Sequence, residues 1–316
     1  MVKPMFERIL GQERVKKSLQ NALEVGTITN AYLFTGPEGV GKRLIAEDFA
    51  EKLLGVRLEN SPDYRCISAK KGESSIKIDQ IRSMIADMSI KPHGDYKIFL
   101  IDDADKLTVQ AQNALLKTLE EPSAYGIIIL VTRNDQALLD TIRSRCMEIK
   151  FAPLASGDIR RILSARGIGD DQAQVATIFS RGSASRALDI SESQELMDMR
   201  QDLESYLELI FIEKNKYELA RMGENFKAYA KNYINLLDLF RYYIRDLILL
   251  KEGIDTSLII NYDRLDLLRR LAREVSISKL GQVIDILDGS QTRLAANCHF
   301  ATTIEAMALN IYEVIN

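Results

Sequence analysis

Hydrophobic and polar positions change their period about halfway along the chain. In "GQERVKKSLQNALEVG", Val15, Leu19, Ala22 and Leu23 recur at helical spacing, and Gly26 stops the run. "AYLFT" is a short apolar run ahead of a glycine-rich loop, and "LIAEDFAEKLL" returns to helical spacing. "KIFLIDD" is a buried-strand candidate ending in carboxylates. "TVQAQNALLKTLEE" is a helix stopped by Pro122, "YGIIILVT" a continuous apolar strand and "MEIKFAPL" a last short one. Strands apolar throughout and separated by helices predict an α/β domain, with a parallel sheet covered on both faces. That pattern ends near Pro153 and bounds a first domain at 1–153. Residues 154–192 read as three short helices punctuated by glycine. From 193 to 316 there is no proline and no convincing strand, only long amphipathic helices such as "FKAYAKNYINLLDLFRYYIRDLILLKEG". That last third predicts an all-α bundle.

The length of 316 residues suits two or three domains. With 46% hydrophobic and 28% charged residues the composition is that of an ordinary globular protein. A net charge of -3 gives no bulk attraction to nucleic acid, so contact with DNA would need a local basic face or an assembled partner. The N-terminal stretch "MVKPMFERILGQERV" is too charged for a secretory signal. No apolar run approaches about 18 residues, so neither export nor a membrane span is expected. Cys66, Cys146 and Cys298 are odd in number and far apart, which fits a reducing cytoplasm and makes neither a disulfide framework nor a metal site. His93 and His299 are the only histidines, which leaves little material for histidine catalysis.

Candidate chemistry starts at "GPEGVGKR". Gly36, Gly39 and Gly41 let the backbone curl, the following helix start aims N–H groups at one point, and Lys42 can reach outer phosphates. Arg43 stands where a Ser or Thr hydroxyl normally helps to hold Mg²⁺. The strand "FLIDDADKL" ends in Asp102, a carboxylate suited to a magnesium-bound water. Asp103 follows, one methylene shorter than the glutamate that usually polarises the attacking water. Phosphate binding needs mostly backbone and lysine, whereas turnover needs the full set. The expectation is an ATP/Mg²⁺ site that is degenerate, with weak or absent hydrolysis.

"ILGQERV", "NAYLF", "GPEGVGK", "IDDADKL", "NALLKTLEEP" and "IRSRC" together resemble the bacterial clamp-loader AAA+ family of DNA polymerase III, in its delta-prime branch. The likeness is close over the first half and more diffuse beyond it. On residues alone Arg145 is a surface arginine. The resemblance instead implies an arginine finger, reaching in trans into a neighbouring subunit's ATP site. It further implies that Thr132, Arg133 and Asn134 form the first sensor region, where the family tends to have a small polar residue in place of Arg133. Arg186 resembles a second sensor arginine carried by a lid at 154–192, and Gly11 and Gln12 the segment near the adenine. Relatives carry a four-cysteine zinc module after the phosphate loop. Only Cys66 stands in that segment here, so no zinc is expected, although "SPDY" still resembles the strand after the module. Residues 193–316 resemble the collar that closes a ring of five subunits. Arg264, Arg269, Arg270 and Arg273 read as a solvated face.

The resemblance therefore implies a stator-like subunit of a DNA replication complex with nucleotidyltransferase activity. Its partners would be delta and tau/gamma subunits in a hetero-pentameric ring, and through the ring the sliding clamp and primed DNA. The alternative is an ATP-hydrolysing motor subunit of the tau/gamma kind. Arg43, Asp103 and the lack of a tau-like extension count against it. An unrelated P-loop kinase or nucleotidase is disfavoured by "SRC" and by the helical last third.

Overall fold

Five strands pair in parallel in the order β2-β3-β4-β1-β5. They are β1 (Ala31–Thr35), β2 (Tyr64–Ile67), β3 (Lys97–Ile101), β4 (Gly126–Thr132) and β5 (Met147–Lys150). The computed structural model describes residues 6–7, 9–70 and 72–316; residues 1–5 and 8, part of the N-terminus read above as non-secretory, lie outside them. β1, β3 and β4 are buried along their whole length, as continuous apolar runs require of central parallel strands. The edge strands differ: β2 buries only Ile67 and β5 only Ile149. β2 begins only at Tyr64, the last residue of "SPDY"; just ahead of it the Asp63 carboxylate accepts from the N–H groups of His93 and Gly94, at 2.8 and 3.2 Å.

Alternation along the strands feeds two separate cores. Tyr32, Phe34, Leu100 and Ile129 face helices α1 (Glu13–Val25) and α2 (Lys42–Leu54), packing with Leu19, Ile45 and Phe49. Leu33, Phe99, Ile128 and Leu130 face α3 (Ile78–Met88) and α4 (Val109–Glu120), packing with Ile81, Met84 and Leu115. Both helix starts and stops follow local chemistry. Gly26 takes φ +74° to close α1, and the Thr108 hydroxyl accepts the Ala111 N–H at 3.3 Å to open α4. This is the α/β parallel-sheet P-loop class expected, followed by a helical C-terminal region.

The chain divides into two compact units, residues 1–166 with 180–188 and residues 167–179 with 189–316. The dividing line runs through the segment 154–192. In the second unit, helices at Gln194–Glu208, Tyr233–Lys251, Leu265–Arg273, Ile277–Ala295 and Phe300–Ile315 enclose one core that includes Phe211, Phe226, Phe240 and Ile304. Residues 227–232 form a 3₁₀ segment, so the long helix expected from Phe226 starts at Tyr233. Arg269, Arg270 and Arg273 are exposed as the charge pattern suggests, but Arg264 turns inward to the Glu204 carboxylate at 3.0 Å.

Inside this bundle Arg200 is 1% exposed. Its guanidinium donates to both Asp263 oxygens at 2.8 Å, to Asn261 Oδ1 at 3.2 Å and to the Tyr243 hydroxyl at 3.1 Å. Asn261 in turn donates from its backbone and its side chain to the buried Asp246, each at 2.8 Å. A charge so placed is tolerated because every donor has a partner. Truncating it would remove both short hydrogen bonds to Asp263 and leave that largely buried carboxylate only Arg264, at 3.3 Å. Arg200→Ala should lower the unfolding free energy of the helical unit by about 3–5 kcal/mol. The measurement is the denaturant midpoint of the helical signal, and an unmoved midpoint would refute the network's importance.

Candidate nucleotide-binding site

The strands of a parallel sheet end at one edge, and this edge carries the candidate site. β1 stops at Thr35, and Gly36, Gly39 and Gly41 follow with φ of +139°, +73° and +93°, values that side chains with a Cβ rarely adopt. Packing makes two of these glycines necessary. A Cβ on Gly36 would run into the Phe151 carbonyl, and one on Gly39 into the Ser183 and Ser185 hydroxyls. The Ala184 N–H donates to the Gly39 carbonyl at 2.8 Å, so residues 180–188 lie directly on the loop. Gln12 ties the other side. Its amide reaches the Ala152 carbonyl at 2.6 Å and the Val40 carbonyl at 3.4 Å.

Beside the loop is a cavity of about 510 Å³, within the range of small-molecule sites. Ile9, Leu10, Leu154 and Ile162 form its apolar end, suited to a flat heteroaromatic ring. Gly39, Gly41, Lys42, Arg43, Asp102 and Asp103 line its polar end. Most of the residues proposed for cofactor binding are thus brought together. Arg186 is not: it is exposed and absent from the lining, although Ala184, Ser185 and Leu188 of the same helix contribute.

The charges at the polar end are already paired. Lys42 is buried, and its Nζ donates to the carbonyls of Gly36 and Pro37 at 2.7 and 2.6 Å. Desolvation lowers its pKa, and Glu38, Asp102, Asp103 and Asp105 oppose that shift. Arg43 donates Nε to Glu47 Oε1 at 2.7 Å and Nη1 to Asp102 Oδ2 at 3.1 Å. The Glu47 hydrogen bond is the main reason its pKa is raised. Asp102 Oδ1 accepts the Asp103 N–H at 3.1 Å, and Asp103 binds Lys106 Nζ at 2.6 Å. Arg133 lines the cavity and bridges Glu38 and Asp105, at 3.1 and 3.4 Å, while the Thr132 hydroxyl donates to Asp105 at 2.9 Å. Among the described residues, no group of three or more His, Cys, Asp or Glu is placed to hold a metal ion.

The loop and lysine suit a phosphate chain, whereas the magnesium side does not fit a divalent cation. Mg²⁺ requires near-octahedral oxygen ligands at about 2.0–2.1 Å, and here a guanidinium occupies the carboxylate that would supply one. Glu38, Glu47, Asp105 and Lys106 were not singled out by the sequence reading. The Arg43–Glu47 pair, four residues apart on one helix, and the Asp103–Lys106 pair, three apart, have a local signal.

Arg145 lies elsewhere. It follows a short helix, α5 (Asp140–Arg143), in the connection from β4 to β5, and does not line the cavity. Its guanidinium donates to the Thr141 carbonyl at 2.8 Å and to Glu120 Oε1 at 2.7 Å, with the residue exposed. The neighbouring Cys146 packs into the turn, and burial pushes its thiol up to about 12, which leaves it an inert packing group.

Two family models match the chain: "DNA polymerase III, delta subunit" over residues 11–155 and "DNA polymerase III, delta subunit, C terminal" over residues 194–297. The chain is 27% identical to DNA polymerase III subunit tau of Bacillus subtilis, over 97% of this chain and 61% of that protein. It is 30% identical to subunit gamma of Buchnera aphidicola, over 67% of this chain and 64% of that one. With subunit delta' of Bacillus subtilis it shares 26% identity over 96% of both chains. It therefore spans less than two thirds of the tau and gamma relatives and nearly the full length of the delta' relative. No helix among the described residues is long and apolar enough to cross a membrane. The matched residues, the parallel P-loop sheet and the helical C-terminal region agree: the chain belongs to the DNA polymerase III clamp-loader family.

Proposed function

We propose that this chain is a stator-like clamp-loader subunit that supplies Arg145 to the ATP site of an adjoining motor subunit. The observation that carries this reading is a division of labour within one domain. The chain's own magnesium-side carboxylate, Asp102, is engaged by Arg43, while Arg145 stands exposed and away from the cavity. A guanidinium delivered in trans would stabilise charge on the transferring phosphoryl group. Arg145 would exchange Glu120 for phosphate oxygens, a change between two charge-assisted pairs. Residues 154–192 would act as the lid and 193–316 as the collar joining delta and tau/gamma subunits. Through that ring the chain would take part in loading the sliding clamp on primed DNA, in the cytoplasm.

The second reading, a motor subunit that hydrolyses ATP itself, is favoured by the likeness to tau and gamma relatives. Arg43 and the shortened Asp103 oppose it. Turnover separates the two. The isolated chain should hydrolyse ATP at background rate; robust turnover would favour the motor reading. In a reconstituted ring, Arg145→Ala should reduce turnover at the adjoining site on the order of 10³-fold or more, with a smaller loss for the whole ring. Unchanged ring turnover would overturn the finger. Glu120→Gln removes only the intramolecular partner, and because such half-exposed pairs are weak, ring turnover should stay within about fivefold of wild type.

A further inference from the structure

The magnesium side of the cavity is rebuilt rather than merely depleted. Losing the hydroxyl at position 43 would by itself leave Asp102 free to hold a hydrated cation. Instead Arg43 is aimed at it: Glu47, one turn along α2, fixes Nε at 2.7 Å, and the same guanidinium reaches Asp102 Oδ2 at 3.1 Å. The Asp102 side chain is 18% exposed, and its second oxygen is taken by the Asp103 N–H. Asp103 is neutralised by Lys106. A divalent ion would have to displace a fixed positive charge and still lack its hydroxyl ligand.

We propose that the Arg43 guanidinium stands in for the magnesium of this site, so that the chain takes a nucleoside di- or triphosphate in metal-free form. The inference rests on the cavity's being a nucleotide site and is independent of the role proposed for Arg145. Lys42, Arg43, Arg133 and Arg166 line the cavity against Glu38, Asp102 and Asp103, so its lining has a net positive charge before any ligand enters. Guanidinium groups bind phosphate oxygens in a bidentate way and, unlike a hydrated cation, need no carboxylate left free. Lys42 would exchange two loop carbonyls for phosphate oxygens, and the apolar end would receive the base. Such a site retains nucleotide without the metal that turnover needs.

The test uses the full chain, with ADP and ATP as probes in calorimetric titrations, in excess Mg²⁺ and in EDTA. Electron paramagnetic resonance of Mn²⁺ serves as a separate readout of metal held on the protein. Wild type should bind both nucleotides in EDTA and more weakly in excess Mg²⁺, which withdraws metal-free nucleotide, ATP more than ADP, and should show no protein-held Mn²⁺ signal. Arg43→Thr restores the hydroxyl and frees Asp102. It should make binding metal-dependent, with at least about a tenfold loss in EDTA, and should gain the Mn²⁺ signal. Arg43→Lys keeps the charge and should keep the preference for metal-free nucleotide with weaker binding, which controls for folding. Wild-type binding that vanishes in EDTA, a wild-type Mn²⁺ signal, or a folded wild type that binds neither nucleotide would each overturn the proposal. None of these outcomes bears on the ring turnover of Arg145→Ala, which reads a neighbour's site.

Discussion

A parallel sheet buried on both faces has only one place to put chemistry, and that constraint organises the first unit. Helices cover the faces, so polar groups cannot project from β1, β3 or β4 without facing a core. The strand ends are free of that restriction. Thr35 pairs in register with Thr132, and Ile101 with Leu130, so the residues that follow emerge side by side. Gly36, Asp102 and Arg133 thus meet at one edge, although they stand far apart along the chain. The site follows from the strand order, in keeping with the rule that ligands of such folds sit beyond the carboxyl ends of the strands.

The charges at this edge are paired among themselves. Each carboxylate that could serve a metal or a water already has a cation: Asp102 has Arg43, Asp103 has Lys106 and Asp105 has Arg133. Re-pairing of this kind keeps the buried end of the cavity electrically satisfied without ligand. Arg145 meets the opposite condition, with one half-exposed carboxylate and one carbonyl as partners. An ion pair exposed on both sides adds little to stability.

The apolar signals in the sequence located what burial dictates and little else. Central strands were readable because β1, β3 and β4 carry continuous apolar runs, with Thr35, Lys97 and Thr132 only at their ends. The resemblance put this strand at "SPDY", of which only Tyr64 belongs to β2, and an edge strand that buries Ile67 alone has no continuous apolar run to mark it. Arg43 was legible as a hydroxyl lost, but not as an ion pair gained, because Asp102 lies on another strand and comes near only through the fold. Arg133 was read as a disturbed sensor, and its bridge between Glu38 and Asp105 again joins three separate segments. Arg186 was assigned to the site by its motif and is exposed outside the cavity lining. In the helical unit the period gave the helices, yet Arg200 would be placed on the surface by any polarity pattern. Its burial depends on Asp263 and Asn261, more than sixty residues away.

The glycine loop has a packing role that is independent of nucleotide. Gly36 is required by the Phe151 carbonyl and Gly39 by Ser183 and Ser185, while Gln12 links Val40 to Ala152. These contacts fix where the chain leaves β5 and how residues 180–188 lie on the first unit. β5 is paired with β1 through Phe34↔Ile149 and Thr35↔Lys150, and the turn that bears Arg145 is the connection from β4 into β5. The loop's packing on Phe151 therefore bears on the strand into which the Arg145 turn leads. Loop glycines report that this scaffold is intact, whereas Arg43 and Asp103 report on how the charges at its edge are paired.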